Sequence, residues 1–202
     1  MPSLTVAVIA GGHSSRMGTD KSFVPMLGKP LIEHVIARVV DLNQDETIVI
    51  TNRPDNYAYL NLPMFADIVS DKGALGGIYT AIYHSQNEHT LCIACDMPFL
   101  NPDLLRYMID LRDSDGGPYD VIVPKVDDHP QGLHAIYSKA CLAPIRKDID
   151  ADRLKVIGFY DRVRVRYLEP AEYTRFDPHR LSFHNINTPD ELQAARQLMM
   201  GE

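Results

Sequence analysis

Val6–Leu31, VAVIAGGHSSRMGTDKSFVPMLGKPL, decides how the rest of the chain is read. Leu4 to Ile9 is apolar and β-branched enough for a buried parallel strand, and it runs straight into Gly11-Gly12. Paired glycines let backbone N–H groups approach an anion closely. Arg16 offers a planar fork of donors and Lys21 a mobile point charge, both near enough to the glycines to fold over one ligand. Gly28-Lys29-Pro30 then reads as a helix start. Residues 1–30 hold Arg16, Lys21 and Lys29 against Asp20, a local balance of +2 in a chain of net charge -7. Positive charge is concentrated beside one glycine loop, as a cradle for nucleotide phosphates requires.

Spacing excludes two better-known phosphate motifs. Gly12 and Gly18 enclose five residues, and Lys21 falls two residues too late for a Walker loop. The dinucleotide fingerprint G-x-G-x-x-G is absent from this loop. An ordinary strand-turn-helix connection with loop charges is the plainer alternative.

Composition bounds the rest. With 202 residues and 45% hydrophobic content, the chain can bury one sizeable core, and no linker divides it, so a single domain over 1–202 is expected. No secretory segment or membrane-length apolar run is visible, which points to a cytoplasmic protein without a membrane partner. A pI near 5.6 argues against a nucleic-acid partner. Three cysteines argue against a disulfide framework. Cys92 and Cys95 form a C-x-x-C with His89 just before it, but the segment reads as a buried strand whose sulfurs would not converge as ligands do.

Strands are expected near Leu4–Ile9, Thr47–Thr51, Leu91–Cys95, Val121–Pro124, His134–Tyr137 and Val163–Leu168, with helices between the first several, a three-layer α/β pattern. Pro30 heads a helix with Leu31, Val35 and Val39 on one face, and Asn101-Pro102-Asp103 caps another carrying Leu104, Leu105 and Met108. A third begins at Thr188, with Pro189 in its first position, Glu191 completing a capping box, and Leu192, Ala195 and Met199 as its apolar stripe.

Asp96 ends an apolar strand immediately before Met97-Pro98, so its carboxylate emerges at the same edge as the glycine loop, where a hard oxygen ligand suits Mg²⁺. A turn-capping aspartate is the alternative there. Asp67 and Asp71 flank a short segment before Gly73–Gly77, and either could accept from a base or ribose. Asn52 follows the second strand and reads equally as a base contact or a turn residue. Asn185 and Asn187 precede the last helix and could present amides to an acceptor or metal.

AGGHSSRMGTDK (10–21) followed by GKPL (28–31) resembles the signature of the molybdenum cofactor guanylyltransferases, members of the nucleotide-diphospho-sugar transferase superfamily. ALGGI (74–78), ACDMPF (94–99), QGLHAIYS (131–138) and NINTPDEL (185–192) fall in the expected order, so the resemblance covers nearly the whole chain and is weakest at about 143–178. It implies a three-layer Rossmann-like nucleotidyltransferase fold, a predominantly parallel mixed sheet with helices on both faces, and the nucleotide over the carboxyl ends of the first strands.

The resemblance further implies GTP as substrate, Mg²⁺ as cofactor and molybdopterin as acceptor, with molybdoenzymes or their chaperones as recipients. Carried over to this chain, Arg16, Lys21 and Asp96 do the chemistry and Asp96 holds the metal. Ile9, Ala10, Gly11, Gly12, Lys21, Asn52, Asp67, Asp96, Asn185 and Asn187 line the nucleotide and its neighbours. One aspartate before the glycine-rich turn contacts the nucleotide in the family, and spacing favours Asp67. By position alone, and apart from the resemblance, Arg153 or Lys155 could contact an acceptor phosphate. Ile9, Ala74 and Gly132 depart from the family's usual leucine, proline and proline. A same-fold enzyme using CTP or another acceptor, and a catalytically silent nucleotide-binding accessory protein, are the rival readings.

Overall fold

A computed structural model describes residues 4–11, 21–42, 44–113 and 116–200. The chain opens with β1 (Leu4–Ile9), a hairpin of β2 (Pro25–Met26) and β3 (Lys29–Pro30), and α1 (Leu31–Val39). β4 (Glu46–Ile50), the short α2 (Pro54–Tyr57), β5 (Met64–Phe65), α3 (Gly73–His84), β6 (His89–Ala94) and α4 (Pro102–Asp110) follow. Then come β7 (Val121–Val126), β8 (His129–Pro130), β9 (His134–Ser138), α5 (Leu142–Asp150), β10 (Val165–Leu168), α6 (Pro170–Tyr173) and α7 (Pro189–Met200). Among the described residues, no helix is long and apolar enough to cross a membrane.

The main sheet runs β10-β7-β9-β6-β1-β4-β5, with β8 paired to β7. β9 is antiparallel to both β6 and β7, while the other neighbours along this order are parallel, so the expected mixed, mostly parallel sheet is present. All six residues of β1 are buried, as a strand covered on both faces requires. One face packs Val6, Val8, Leu91 and Ile93 against Val35 and Val39 of α1 and Leu104, Leu105 and Met108 of α4. The other packs Ala7, Ile9, Ile48 and Ile50 against Leu75, Ile78 and Ile82 of α3 and Ile145 and Ile149 of α5. Helices therefore cover both faces, giving three layers.

Two caps form as the sequence predicts. Asn101 Oδ1 accepts from the N–H groups of Asp103 and Leu104, at 2.9 and 3.0 Å. Thr188 Oγ1 accepts from Glu191 N at 3.2 Å, and Glu191 Oε2 accepts in return from Thr188 N at 2.9 Å, closing the capping box.

Two glycine segments differ from expectation. Gly28 belongs to the β2–β3 turn, in which Leu27 and Gly28 both have positive φ (47° and 81°); α1 starts at Leu31, with Pro30 at its N-cap. Gly73–Gly77, read as a glycine-rich turn, is the beginning of α3. A Cβ on Gly77 would lie 2.9 Å from Ile9 Cγ2, so the missing side chain is what lets α3 approach the end of β1. Cys92 lies in one core and Cys95 packs against the other, on opposite faces of the sheet as alternation demands. Burial pushes the Cys92 thiol well up, which makes it a small hydrophobe.

Candidate active site

Sheet register gathers the site. Ile9 is level with Ile50 on one side and Ala94 on the other, and Ile50 is level with Phe65. Gly11, Asn52, Asp96 and Asp67 each stand two residues beyond these aligned strand ends. Four residues singled out separately in the sequence thus emerge along one carboxyl edge, where open α/β sheets bind ligands. The ladder extends one step past the strands: Ala10 N donates to Ile50 O at 2.9 Å, and Cys95 N donates to Ile9 O at 3.2 Å. Ile9 itself is a core side chain, so only its backbone reaches this edge. Gly11 is exposed, and among the described residues a Cβ there would meet nothing within 4 Å.

Asn52 and Asp67 close a two-bond ring. Asn52 Nδ2 donates to Asp67 Oδ2 at 2.8 Å, and Asp67 N donates to Asn52 Oδ1 at 2.9 Å. Each residue thereby fixes the other's orientation at the tips of β4 and β5. Asp71 lies in the turn before α3 with φ 59°.

Asp96 is buried to 9% exposure, and its partner comes from the far end of the chain. Asn185 Nδ2 donates to Asp96 Oδ1 at 2.7 Å, and Ile186 N donates to Asp96 O at 2.9 Å. Asn187 N donates to Glu191 Oε2 at 2.6 Å, and the Asn187 amide reaches Asn185 O at 3.5 Å, so the α7 capping box also orders the segment that carries Asn185. Sequence reasoning assigned Glu191 to the cap alone.

Gly12, Arg16 and the side chain of Lys21 lie outside the described residues. Ser22, next to Lys21, donates to Cys95 Sγ, next to Asp96, at 3.1 Å. The chain that leaves the glycine loop is therefore tied beside the metal candidate, a link that no spacing rule announces.

Arg153 is committed to a buried acid. Its guanidinium donates to Asp148 Oδ1 at 2.6 and 3.0 Å, and Arg162 pairs with Asp148 Oδ2. Burial pushes the Asp148 carboxyl up, but the Arg162 and Arg153 guanidiniums outweigh it and hold the group below its ordinary range. His134 on β9, level with Ile93, is fully buried with both ring nitrogens unpartnered, and its ring packs edge-on to Phe183 at 4.9 Å. Burial lowers its pKa to about 4, against a smaller opposing effect from Asp177.

Comparison with known proteins agrees with this architecture. The MobA-like NTP transferase domain family matches residues 6–163. A Natranaerobius thermophilus protein named "Probable molybdenum cofactor guanylyltransferase" is 34% identical over 98% of this chain and 97% of its own length. A Pelotomaculum thermopropionicum protein of the same name is 36% identical over 97% of this chain and 93% of its own. The crystal structure of molybdopterin-guanine dinucleotide biosynthesis protein A from Archaeoglobus fulgidus superimposes with a TM-score of 0.84 at 28% identity, covering 98% of this chain and 100% of that one. Sheet order, site register and full-length kinship lead to one assignment: the chain belongs to the MobA-like NTP transferase family and is a nucleotidyltransferase.

Proposed function

We propose that this protein transfers GMP from GTP to the terminal phosphate of molybdopterin, forming the guanine dinucleotide form of the cofactor in the cytoplasm. An oxygen of the acceptor phosphate attacks the α-phosphorus of GTP, the bond from that phosphorus to the β-phosphate oxygen breaks, and pyrophosphate leaves. The observation that carries this reading is the alignment of Gly11, Asn52, Asp67 and Asp96 two residues past level strand ends. The names of relatives matched over nearly their whole length suggest guanylyl transfer to the molybdenum cofactor, and that of the Archaeoglobus fulgidus structure suggests molybdopterin as the acceptor.

Phosphoryl transfer asks a protein mainly to position reactants and to neutralise charge. In this reading the backbone at Gly11 and Gly12, with Arg16 and Lys21, holds the triphosphate. The Asn52–Asp67 ring presents one fixed polar edge to the base or ribose. The donor at Asp96 fits Mg²⁺: a carboxylate at the carboxyl edge of the sheet, with Asn185 on its Oδ1, offers a hard oxygen ligand. Mg²⁺ takes such a site when nucleotide phosphates and water complete its shell. Bound there, it would draw the attacking and reacting phosphates together and spread the developing charge. Asn185 holds the Asp96 carboxylate in one orientation for that task.

Calorimetry with GTP, CTP and ATP in Mg²⁺, followed by pyrophosphate release in the presence of molybdopterin, tests the proposal. Selective GTP binding with acceptor-dependent release is expected. Tighter binding of CTP, or binding without release, would overturn it in favour of the cytidylyl or the silent reading.

A further inference from the structure

Asn185 is held to Asp96 by more than its own amide. The segment 176–186 lies across the loop 96–101, and three sets of hydrogen bonds join them. Ile186 N and the Asn185 amide reach Asp96 at one end. In the middle, Asn101 N donates to Ser182 Oγ at 2.9 Å, and that hydroxyl donates to Phe99 O at 3.4 Å. At the other end Asn101 Nδ2 donates to Phe176 O at 2.8 Å.

Ser182 is held in turn by Asp177, whose carboxylate accepts from Leu181 N at 3.0 Å and from Ser182 N at 2.7 Å. Ser182 is 0% exposed and Asp177 is 6% exposed. A hydroxyl and a carboxylate buried this deeply are costly unless satisfied, and once satisfied they select one geometry more sharply than apolar packing does. Phe183, which follows Ser182, is wedged edge-on between His134 and Tyr173, at 4.9 and 5.2 Å, so the segment has little room to slide.

We infer that Asp177 and Ser182 are positioning residues: they form a buried clasp that sets the register of Asn185 on Asp96 and thereby shapes the metal–nucleotide site. The inference rests on the proposed role of Asp96 as metal ligand. Groups that orient a metal ligand commonly contribute tenfold to a hundredfold in metal affinity. The affected step is metal-dependent nucleotide binding, since both residues are buried and act through Asn185.

The test is the ratio of GTP dissociation constants measured by calorimetry in EDTA and in Mg²⁺. Ser182→Ala is expected to shrink this ratio by about tenfold while the constant in EDTA stays unchanged, and Ser182→Thr, which keeps the hydroxyl, restores it. A merely structural role would lower the melting temperature and leave the ratio alone. Asp177→Asn keeps the volume but removes one acceptor, and serves as a second probe should Ser182→Ala fail to fold. Asp96→Asn separates the layers. If it abolishes the metal effect while the clasp variants leave the ratio intact, the clasp is wrong and the site reading stands. If Asp96→Asn leaves the ratio intact, the metal reading falls and the clasp with it.

Discussion

The side-chain amide of Asn185 donates to Asp96 Oδ1 at 2.7 Å, joining residues 89 apart in sequence at the carboxyl edge of the sheet. The carboxylate is thus presented by β6 and oriented from the start of α7. Asp96→Asn keeps the shape and removes the charge. Turnover measured by pyrophosphate release is expected to fall by roughly a hundredfold or more, the scale for losing a preorganised charge-stabilising group. Asn185→Ala leaves the charge and frees its orientation, for an expected loss of about tenfold. Near-normal turnover in folded Asp96→Asn would remove this residue from the chemistry.

Gly77 answers to Ile9. A methyl at Gly77 would lie 2.9 Å from Ile9 Cγ2, a branch close to the backbone that cannot swing away. Alanine would gain about 1 kcal/mol of helix propensity, against an overpacking cost of about 1–3 kcal/mol. Urea denaturation of Gly77→Ala is expected to show a net loss of stability. Ile9→Ala should then cost less in that background than in the native chain, and equal costs would show that the two sites do not touch.

His134 makes stability depend on pH. Its ordinary value of 6.5 is lowered to about 4 by burial, so the native state refuses a proton that the unfolded chain accepts. The neutral ring's contribution is complete above pH 6.5 and is lost as pH falls toward 4, by roughly 3 kcal/mol at most. Denaturation curves of native protein and His134→Leu at several pH values should diverge in slope across that window. Parallel curves would mean that His134 does not titrate as its surroundings demand.

The α7 cap carries Asn187, a proposed site residue, with it. Thr188→Ala removes the acceptor for Glu191 N and is expected to cost about 1 kcal/mol, the ordinary value of a lost cap. Glu191→Ala releases both Asn187 N and Thr188 N. It is therefore expected to raise KM for nucleotide or acceptor as well as to destabilise. A KM unchanged in both variants would confine the cap to folding.

Much of this was legible in sequence where local chemistry and tertiary role coincide. An apolar strand broken by Asp96-Met97-Pro98 can end in few ways, and the Thr188-Pro189-Glu191 cap is written in consecutive residues. Gly76 and Gly77 misled because glycine weakens helices, whereas here their bareness is needed for contact with Lys72 and Ile9. The β2–β3 turn was hidden by Leu27, a residue that turn chemistry does not favour at φ 47°. α5, with Pro144 inside it and Asp148 buried on its inner face, carries too polar a pattern to announce itself. The Asp177–Ser182 clasp joins segments about eighty residues apart, beyond the reach of any local pattern.

The most direct test of the central claim is a crystal structure of the protein with GTP and Mn²⁺, using the metal's anomalous signal. The metal peak should lie about 2.0–2.3 Å from the Asp96 carboxylate, with the guanosine against Asn52 and Asp67 and the phosphates over Gly11. A nucleotide bound at the opposite edge of the sheet, or a metal peak away from Asp96, would contradict the account.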